Sequence, residues 1–225
     1  MFHVKHPGRE SDLQAEDARA LILAVVGDAV GVDLGDADEK LLRLLALARE
    51  LSGPGTALGL TGYASPRRAL QRLVAPALAA LRWLAVGQEL KVTEVGGGSG
   101  ALGLGLAIVA PAWRVYIVDR RQRATGFAEV VALRLGVRNV TAITADAGKA
   151  PEAIRESDAA VFRAVGTLEQ DLDLAQHIVR VGGKALIWTS SAALSPLRAG
   201  WQEVGRLELA AVELSVRAFE HTGDG

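Results

Sequence analysis

The strongest constraint on this chain is a glycine-rich turn that lies between an apolar strand and an apolar helix. The sequence predicts a strand over residues 90–95, a turn over residues 96–100 and a helix that runs to residue 110. Glycines at such a turn let the backbone approach a ligand closely, and the following helix presents unpaired amide groups and the positive end of its dipole. We therefore expect a polar ligand to bind at this turn.

The segments after the turn alternate between strands and helices. Strands are predicted over residues 113–118, 139–143, 159–162 and 184–188, and helices over residues 122–135 and 168–181. Alternation of this kind is typical of an α/β fold, in which a doubly wound, mostly parallel sheet carries helices on both faces. Residues 206–219 fit one strand, two strands or a helix.

The part of the chain before the turn follows a helical pattern. Apolar residues recur at helical spacing between residues 11 and 52, which favours two helices. Ser65-Pro66 is typical of the cap and first residue of a third helix, which is expected to run to residue 86. We predict a helical extension over residues 1–88 and a ligand-binding domain over residues 89–225.

The amino-acid composition excludes several classes of function. The chain has 25 basic and 26 acidic residues, a formal net charge of −1 and no cysteine. These counts exclude a polycationic nucleic-acid binder, a disulfide framework, thiolate metal sites and cysteine nucleophiles. The apolar stretches are shorter than the roughly 20 residues that a membrane span needs, and the first residues contain no hydrophobic signal core. We expect a cytoplasmic protein with no membrane segment and no metal.

Two cofactor patterns fit the glycine-rich turn. Residues 98–103 match the GxGxxG pattern of dinucleotide-binding proteins, and Asp119 lies near the spacing of about 20 residues expected for an acid that binds ribose. The E/DxGxGxG pattern of S-adenosylmethionine (SAM) methyltransferases fits as well, through Glu94, Gly96, Gly98 and Gly100. The additional acid favours SAM, and a dehydrogenase would need a catalytic domain after the sheet. An NAD-linked oxidoreductase and a turn that serves only tight packing are the alternatives.

The same residues resemble one methyltransferase family. Residues 94–108 are similar to the long signature D-V-G-(T/S)-G-x-G-x-P-G-(I/L)-x-L-A-I of the RsmG (GidB) enzymes, which methylate N7 of a guanine in small-subunit ribosomal RNA with SAM. Further similarity lies at Val118-Asp119 with the basic residues and Phe127 that follow, and at Asp158 through Arg163-Ala164. The resemblance implies a class I SAM-dependent methyltransferase fold with an N-terminal helical extension.

The resemblance also implies a cofactor site. Asp119 is expected to bind the ribose hydroxyls, residues 146–148 align with a segment beside the adenine, and Arg163 is expected to contact the methionine carboxylate or the RNA. The full set of expected cofactor residues is Glu94, Gly96, Gly98, Gly100, Ala101, Asp119, Arg120, Asp146, Ala147, Gly148 and Arg163.

RNA binding is expected to come from local positive charge, because the net charge is close to zero. Arginines cluster near the start of the third helix and after Asp119, and the expected RNA-binding residues are Arg67, Arg68, Arg72, Arg123 and Arg163. Basic helix faces that are merely solvated are the alternative. No catalytic residue is assigned, because N7 of guanine carries a free lone pair and loses no proton, so methylation needs no general base.

The chain departs from the family pattern in several places, including Gly59, residues 146–148 and Thr189. A histidine and an aspartate-serine pair of the family align with Leu73, Pro76 and Ala77, which predicts an apolar wall where the family has a polar substrate pocket. The family's final strand is expected to be missing, because the chain reaches Gly225 in the turn before it. The departures favour two alternatives to ribosomal RNA methylation: a catalytically degenerate SAM-binding module, or a small-molecule methyltransferase.

Overall fold

The computed structural model of the protein describes residues 13–27, 34, 39–190 and 198–223. The strands in these residues are β1 (Lys91–Val95), β2 (Arg114–Asp119), β3 (Val140–Thr144), β4 (Ser157–Arg163), β5 (Val179–Thr189), β6 (Trp201–Leu209) and β7 (Leu214–His221). They form one sheet with the order β3-β2-β1-β4-β5-β7-β6. Strands β1 to β5 pair in parallel, and β7 is antiparallel to β5 and β6. The predicted α/β sheet is confirmed.

The helices follow the predicted alternation with the strands. Their bounds are α1 (Ala15–Val26), α2 (Glu39–Ser52), α3 (Pro54–Ala57), α4 (Pro66–Ala69), α5 (Ala75–Ala77), α6 (Ala101–Val109), α7 (Gln122–Arg134) and α8 (Leu168–Gln176). Helix α6 connects β1 to β2, α7 connects β2 to β3, and α8 connects β4 to β5. The predicted helix over 168–181 is too long at its end, because Val179 already pairs with Ser157 of β4.

The end of the chain is a β-hairpin. Residues 206–219, which fitted a strand or a helix, contribute to both β6 and β7, and a short 3-10 turn over Ala210–Val212 separates the two strands. The expectation that the final strand is missing is wrong, because the hairpin completes a seven-stranded sheet within the described residues. Apolar β-branched side chains such as Val216, which is fully buried, favour this pairing.

The third predicted helix begins as expected and then becomes irregular. The Ser65 hydroxyl accepts a hydrogen bond from the Arg68 amide (3.3 Å), and Pro66 occupies the first helical position. A π-helical stretch, Leu70–Val74, follows α4, and a 3-10 stretch, Leu78–Arg82, follows α5. Pro76 lies inside α5 and has no N–H to donate, so the carbonyl four residues earlier, that of Arg72, loses its α-helical donor. We refer to residues 66–82 as the irregular helix.

Hydrophobic side chains fill both faces of the sheet. On one face, residues of α1, α2 and the irregular helix share a core with α6 and α7, including Ile22, Leu44, Leu78, Leu104 and Val131. On the other face, Phe162 and Leu172 belong to a second cluster beneath α8. The extension and the sheet therefore have a common core, and the division at residue 88 stays a prediction. Within the described ranges, no helix has the length and apolar composition that a membrane crossing requires.

Candidate functional site

A cavity of about 670 Å³ lies at the carboxyl ends of the parallel strands. Doubly wound sheets bind ligands at this edge, and the volume falls in the range of roughly 300–1,000 Å³ that is common for small-molecule sites. The cavity is lined by Val95, Gly96, Val118, Asp119, Arg120, Arg121, Ala145, Asp146, Ala147, Gly148, Val165, Gly166, Gln170, Asp171, Asp173, Leu174 and His177. These residues lie at or directly after the ends of β1, β2, β3 and β4, or on α8 and at its end, so five segments of the chain meet here.

The glycine-rich turn reaches the cavity through Gly96. Its φ angle is +63°, and a Cβ atom at this position would lie 2.9 Å from Cγ2 of Val165, which lines the same cavity. Both the backbone conformation and the space therefore require glycine. Gly98 and Gly100 also have positive φ angles, +56° and +69°. Together with Ala101 they shape the turn and the start of α6, and they lie outside the cavity lining.

Glu94 stabilises the start of α6, directly after the glycine-rich turn. Its side chain is buried (4% exposed) and accepts hydrogen bonds from the amides of Leu102 (3.3 Å) and Gly103 (2.9 Å), the second and third residues of α6. Burial raises the pKa of Glu94 to about 8, although the two amides act in the opposite direction. Glu94 does not line the cavity. Its contacts fix the position of α6 relative to β1.

Asp119 is the acid at the end of β2, and it faces the turn. Its two carboxylate oxygens accept hydrogen bonds from the amides of Gly98 and Arg121, each at 2.8 Å, and from the Arg121 guanidinium at 3.1 Å. Burial acts to raise the pKa of Asp119, but the hydrogen bonds from Arg121 and Gly98 outweigh it and lower the pKa. The carboxylate is therefore ionised at neutral pH and is positioned by the turn that it faces.

The segment after β3 forms the next part of the wall. Asp146 accepts hydrogen bonds from the Gly148 amide (3.0 Å) and from the Arg120 guanidinium (2.8 Å). The hydrogen bond from Arg120 lowers the pKa of Asp146. Asp146, Ala147, Gly148 and Arg120 all line the cavity, so the structure brings together four of the expected cofactor residues on this side.

The opposite wall was not predicted. It consists of five cavity-lining residues on α8 and at its end, which we call the α8 wall: Gln170, Asp171, Asp173, Leu174 and His177. The other lining residues missing from the predicted set are Val95, Val118, Arg121, Ala145, Val165 and Gly166. The only signal for the α8 wall is the spacing of residues 170, 174 and 177, which places them on one face of a helix that follows the carboxyl end of β4.

Arg163 lies outside the cavity lining, although it was expected to contact the cofactor or the RNA. From the end of β4, its guanidinium donates hydrogen bonds to the carbonyls of Leu73 (3.4 Å) and Arg72. The Arg72 carbonyl is the one that Pro76 leaves without a helical donor. Burial lowers the pKa of Arg163. In the structure, this side chain ties the irregular helix to the sheet.

A side chain of β5 also forms a hydrogen bond to a backbone carbonyl of the irregular helix. The buried indole Nε1 of Trp188 donates to the Pro76 carbonyl at 2.8 Å. Pro76 and Ala77 are buried in the core, and neither lines the cavity. Ala77 packs instead against Gly105 of α6, where a Cβ atom would lie 3.3 Å from the Ala77 Cβ. The structure thus uses two of the three departing positions for packing, and Leu73 is half-buried.

The expected RNA-binding arginines fall into two groups. Arg67, Arg68 and Arg123 are exposed. Arg72 is half-buried and donates from Nη1 to the Val212 carbonyl at 2.9 Å, which joins the irregular helix to the β6–β7 turn. Together with Arg163, it therefore serves contacts inside the protein.

The residues fit SAM as a ligand. The cavity has sufficient volume, an ionised Asp119 lies beside the turn, and Gly96 exposes its backbone to the cavity without a side chain. On the α8 wall, a buried Asp171 oxygen has no hydrogen-bond partner in the described part of the chain. No group of three or more metal-ligating His, Asp or Glu side chains occurs among residues 13–27, 34, 39–190 and 198–223.

The sheet order, the glycine turn after β1 and the acid after β2 define the class I SAM-dependent methyltransferases. A variant of the protein MtNAS in complex with S-adenosylmethionine has a similar fold, with a TM-score of 0.58, 16% identity, and coverage of 95% of this chain and 86% of that chain.

Residues 39–216 match the family GidB, described as rRNA small subunit methyltransferase G, and the chain belongs to this family. Its relatives include ribosomal RNA small subunit methyltransferase G of Bordetella avium, 30% identical over 206 residues (88% of this chain, 89% of the relative). The enzyme of the same name from Deinococcus radiodurans is 28% identical over 200 residues (88% and 78%). The protein is thus a SAM-dependent methyltransferase.

Proposed function

We propose that the chain transfers the methyl group of SAM to N7 of a guanine in small-subunit ribosomal RNA, acting in the cytoplasm on the small ribosomal subunit or its RNA. The observation that carries this proposal is the cavity itself: within the family match, it joins the glycine turn, the ionised Asp119 and the segment after β3 at one edge of the sheet. A sheet edge that lacked the glycine turn, Asp119 and the segment after β3 would offer SAM no specific polar contacts.

Individual residues have separate roles in this site. Gly96 admits the cofactor to the backbone, and Asp119 accepts hydrogen bonds from the ribose hydroxyls once the Arg121 side chain moves aside. The segment 146–148 and Arg120 border the adenine. Glu94 and Gly98 position the turn and Asp119 through the bonds described above, so they act on the cofactor indirectly.

Methylation of guanine N7 by SAM requires no general acid or base from the protein. SAM supplies an activated methyl group on a positively charged sulfur. Guanine N7 offers its lone pair directly and releases no proton, so the protein has to orient the two reactants in line. The cavity residues provide a fixed frame for that orientation, because Glu94 fixes the start of α6 and the Gly98 and Arg121 amides fix the Asp119 carboxylate.

The exposed arginines are the natural contacts for the RNA backbone. Arg67 and Arg68 lie in the first turn of the irregular helix, and Arg123 lies in the first turn of α7, directly after the cofactor acid. Guanidinium groups suit phosphate oxygens because they present several donors in one plane. Arg72 and Arg163 support this surface through their hydrogen bonds to backbone carbonyls inside the protein.

Packing accounts for part of the feature that favoured the two alternative functions. Both rested on an apolar wall at Leu73, Pro76 and Ala77, but Pro76 and Ala77 are buried and lie outside the lining of the cofactor cavity. Their apolar character is therefore consistent with packing, in which Ala77 lies against Gly105 of α6.

A deletion strain tests the proposal. We expect N7-methylguanine to disappear from one position of the small-subunit ribosomal RNA when the gene is deleted, and to return with the wild-type gene but not with a Gly96→Val gene. Unchanged N7 methylation in the deletion strain would contradict the proposed substrate.

A further inference from the structure

The α8 wall contains a buried carboxyl group with an unpaired oxygen. Asp171 lines the cavity, is 2% exposed, and its Oδ1 atom has no hydrogen-bond partner within the described ranges. A buried polar atom without a partner costs folding free energy. Such atoms are rare in native proteins, and each calls for a specific explanation.

Asp171 differs in this respect from the other carboxyl groups of the cavity. Each of the others forms an ion pair with an arginine, and the pairs are Asp119–Arg121, Asp146–Arg120 and Asp173–Arg198. The neighbouring Gln170 is also satisfied, because its side chain accepts from the Thr167 amide at 2.9 Å. Asp171 is therefore the carboxyl group in this wall whose acceptor atom is left for a ligand.

We propose that Asp171 is a further SAM-binding residue, whose Oδ1 atom accepts a hydrogen bond from an amino group of the cofactor. SAM has two such groups, the adenine amine and the methionine ammonium. Either group would give Oδ1 a donor, which this atom lacks within the described residues. The proposal rests on the cofactor site of the proposed function and adds α8 to it.

The ionisation of Asp171 provides a second readout. Burial raises the pKa of Asp171 to about 6, partly offset by the Gly166 N–H. An N–H donor on the ligand stabilises the charged form, so protonation of Asp171 opposes binding. With a free-state pKa of about 6, SAM affinity falls roughly fourfold between pH 7.5 and pH 5.5 through this group. The charged and titratable groups that line the same cavity are Asp119, Arg120, Arg121, Asp146, Asp173 and His177.

The test is calorimetry of SAM binding to the full chain and to the variants Asp171→Asn and Asp171→Ala. The matched control is Glu169→Gln, which removes one negative charge from the first turn of the same helix but is exposed and lies outside the cavity lining. We expect roughly ten- to a hundredfold weaker binding for Asp171→Ala, because a hydrogen bond to a charged group is lost. Asp171→Asn is expected to weaken binding less and to lose the pH effect of residue 171, whereas the control binds as the wild type does.

Thermal unfolding without ligand separates binding from folding. Removal of an unpaired buried carboxyl should leave the Tm unchanged or raise it, so weaker binding with an undiminished Tm supports the proposal. Equal SAM affinities for wild type and both Asp171 variants would overturn it, and so would a lower Tm that accounts for the weaker binding. A wild-type chain that does not bind SAM would instead contradict the proposed function.

A second ligand locates the amino group. Methylthioadenosine has the adenine amine but no methionine ammonium. If Asp171→Ala weakens both ligands equally, Asp171 contacts the adenine amine. If it weakens SAM alone, Asp171 contacts the ammonium group. If it weakens neither ligand, Asp171 is not a cofactor residue.

Discussion

The cofactor cavity and the irregular helix lie at the same edge of the sheet but are built in different ways. In the cavity, the bonds that position the turn join residues close in sequence: Gly103 and Glu94 are 9 residues apart, and Gly98 and Asp119 are 21 apart. The irregular helix is held by bonds over 90 residues to Arg163, 112 to Trp188 and 140 to Val212. Local motifs therefore define the cofactor site, whereas the surface next to it depends on the complete fold.

Of the variants proposed here, Gly96→Val should have the largest effect, and it acts on SAM binding in the cofactor cavity. The new side chain would enter the space of Val165 in a backbone conformation with φ of +63°, which favours glycine. We expect SAM binding to fall below detection in calorimetry. The control Gly126→Ala, in α7, adds a Cβ atom that meets no other atom within 4 Å, and its SAM affinity should match the wild type. Wild-type affinity in Gly96→Val would place the cofactor elsewhere.

Asp119→Ala should weaken SAM binding by about ten- to a hundredfold, or ~1.5–3 kcal/mol, because the ribose loses a charged acceptor. Its matched variant is Arg121→Gln, which removes the ion pair that occupies the same carboxylate. This pair is more than half exposed on the arginine side, so its loss should change SAM affinity by less than about fivefold, towards tighter binding. Equal affinities for Asp119→Ala and the wild type would reject the ribose contact.

Arg163→Met tests the long-range contacts that hold the irregular helix against the sheet. Two carbonyls of the irregular helix lose a charged donor, and we expect the free energy of unfolding in urea to fall by ~1–3 kcal/mol. SAM affinity should stay within about twofold, because the side chain does not line the cavity. Arg67→Met serves as the exposed control and should leave stability unchanged. A large loss of SAM affinity without a loss of stability would instead restore Arg163 as a cofactor contact.

Glu94→Gln should change how stability depends on pH. The folded-state pKa of about 8 lies above the ordinary value of 4.5. Between these values the folded state binds the proton and the unfolded state does not, so Glu94 makes the wild type lose stability as pH rises. From pH 6 to pH 7 this contribution is at most about 1.4 kcal/mol. Urea unfolding at both pH values should give a smaller loss for Glu94→Gln; identical pH dependences would mean that Glu94 is ionised in the fold.

Sequence patterns located the parts of the site that lie next to strand ends. Gly96 and Asp119 are predictable because glycine after β1 and an acid after β2 have fixed positions in this fold, whereas residues 146–148 are predicted only through the family resemblance. Glu94 was found in the pattern, but its contact with the α6 amides depends on how the turn folds back over β1. Its role as a buried support could not be read from the glycine spacing.

The remaining features depend on contacts that no local pattern contains. Asp171 looks like an ordinary acid in the first turn of a helix, and only the packing of α8 against the sheet makes it a buried cavity residue. Pro76 and Ala77 resemble a lost substrate pocket until the fold places them against Trp188 and Gly105. Likewise, the last two strands are distinguished from a helix only by the pairing of β7 with β5 and of β6 with β7.

The most direct test of the central claim is methyl transfer from labelled SAM to purified small ribosomal subunits that lack the modification. We predict stoichiometric incorporation at N7 of one guanine by the wild-type chain and none by Gly96→Val. Absence of N7 incorporation by a wild-type chain that demonstrably binds SAM would contradict the claim that this cavity serves ribosomal RNA methylation.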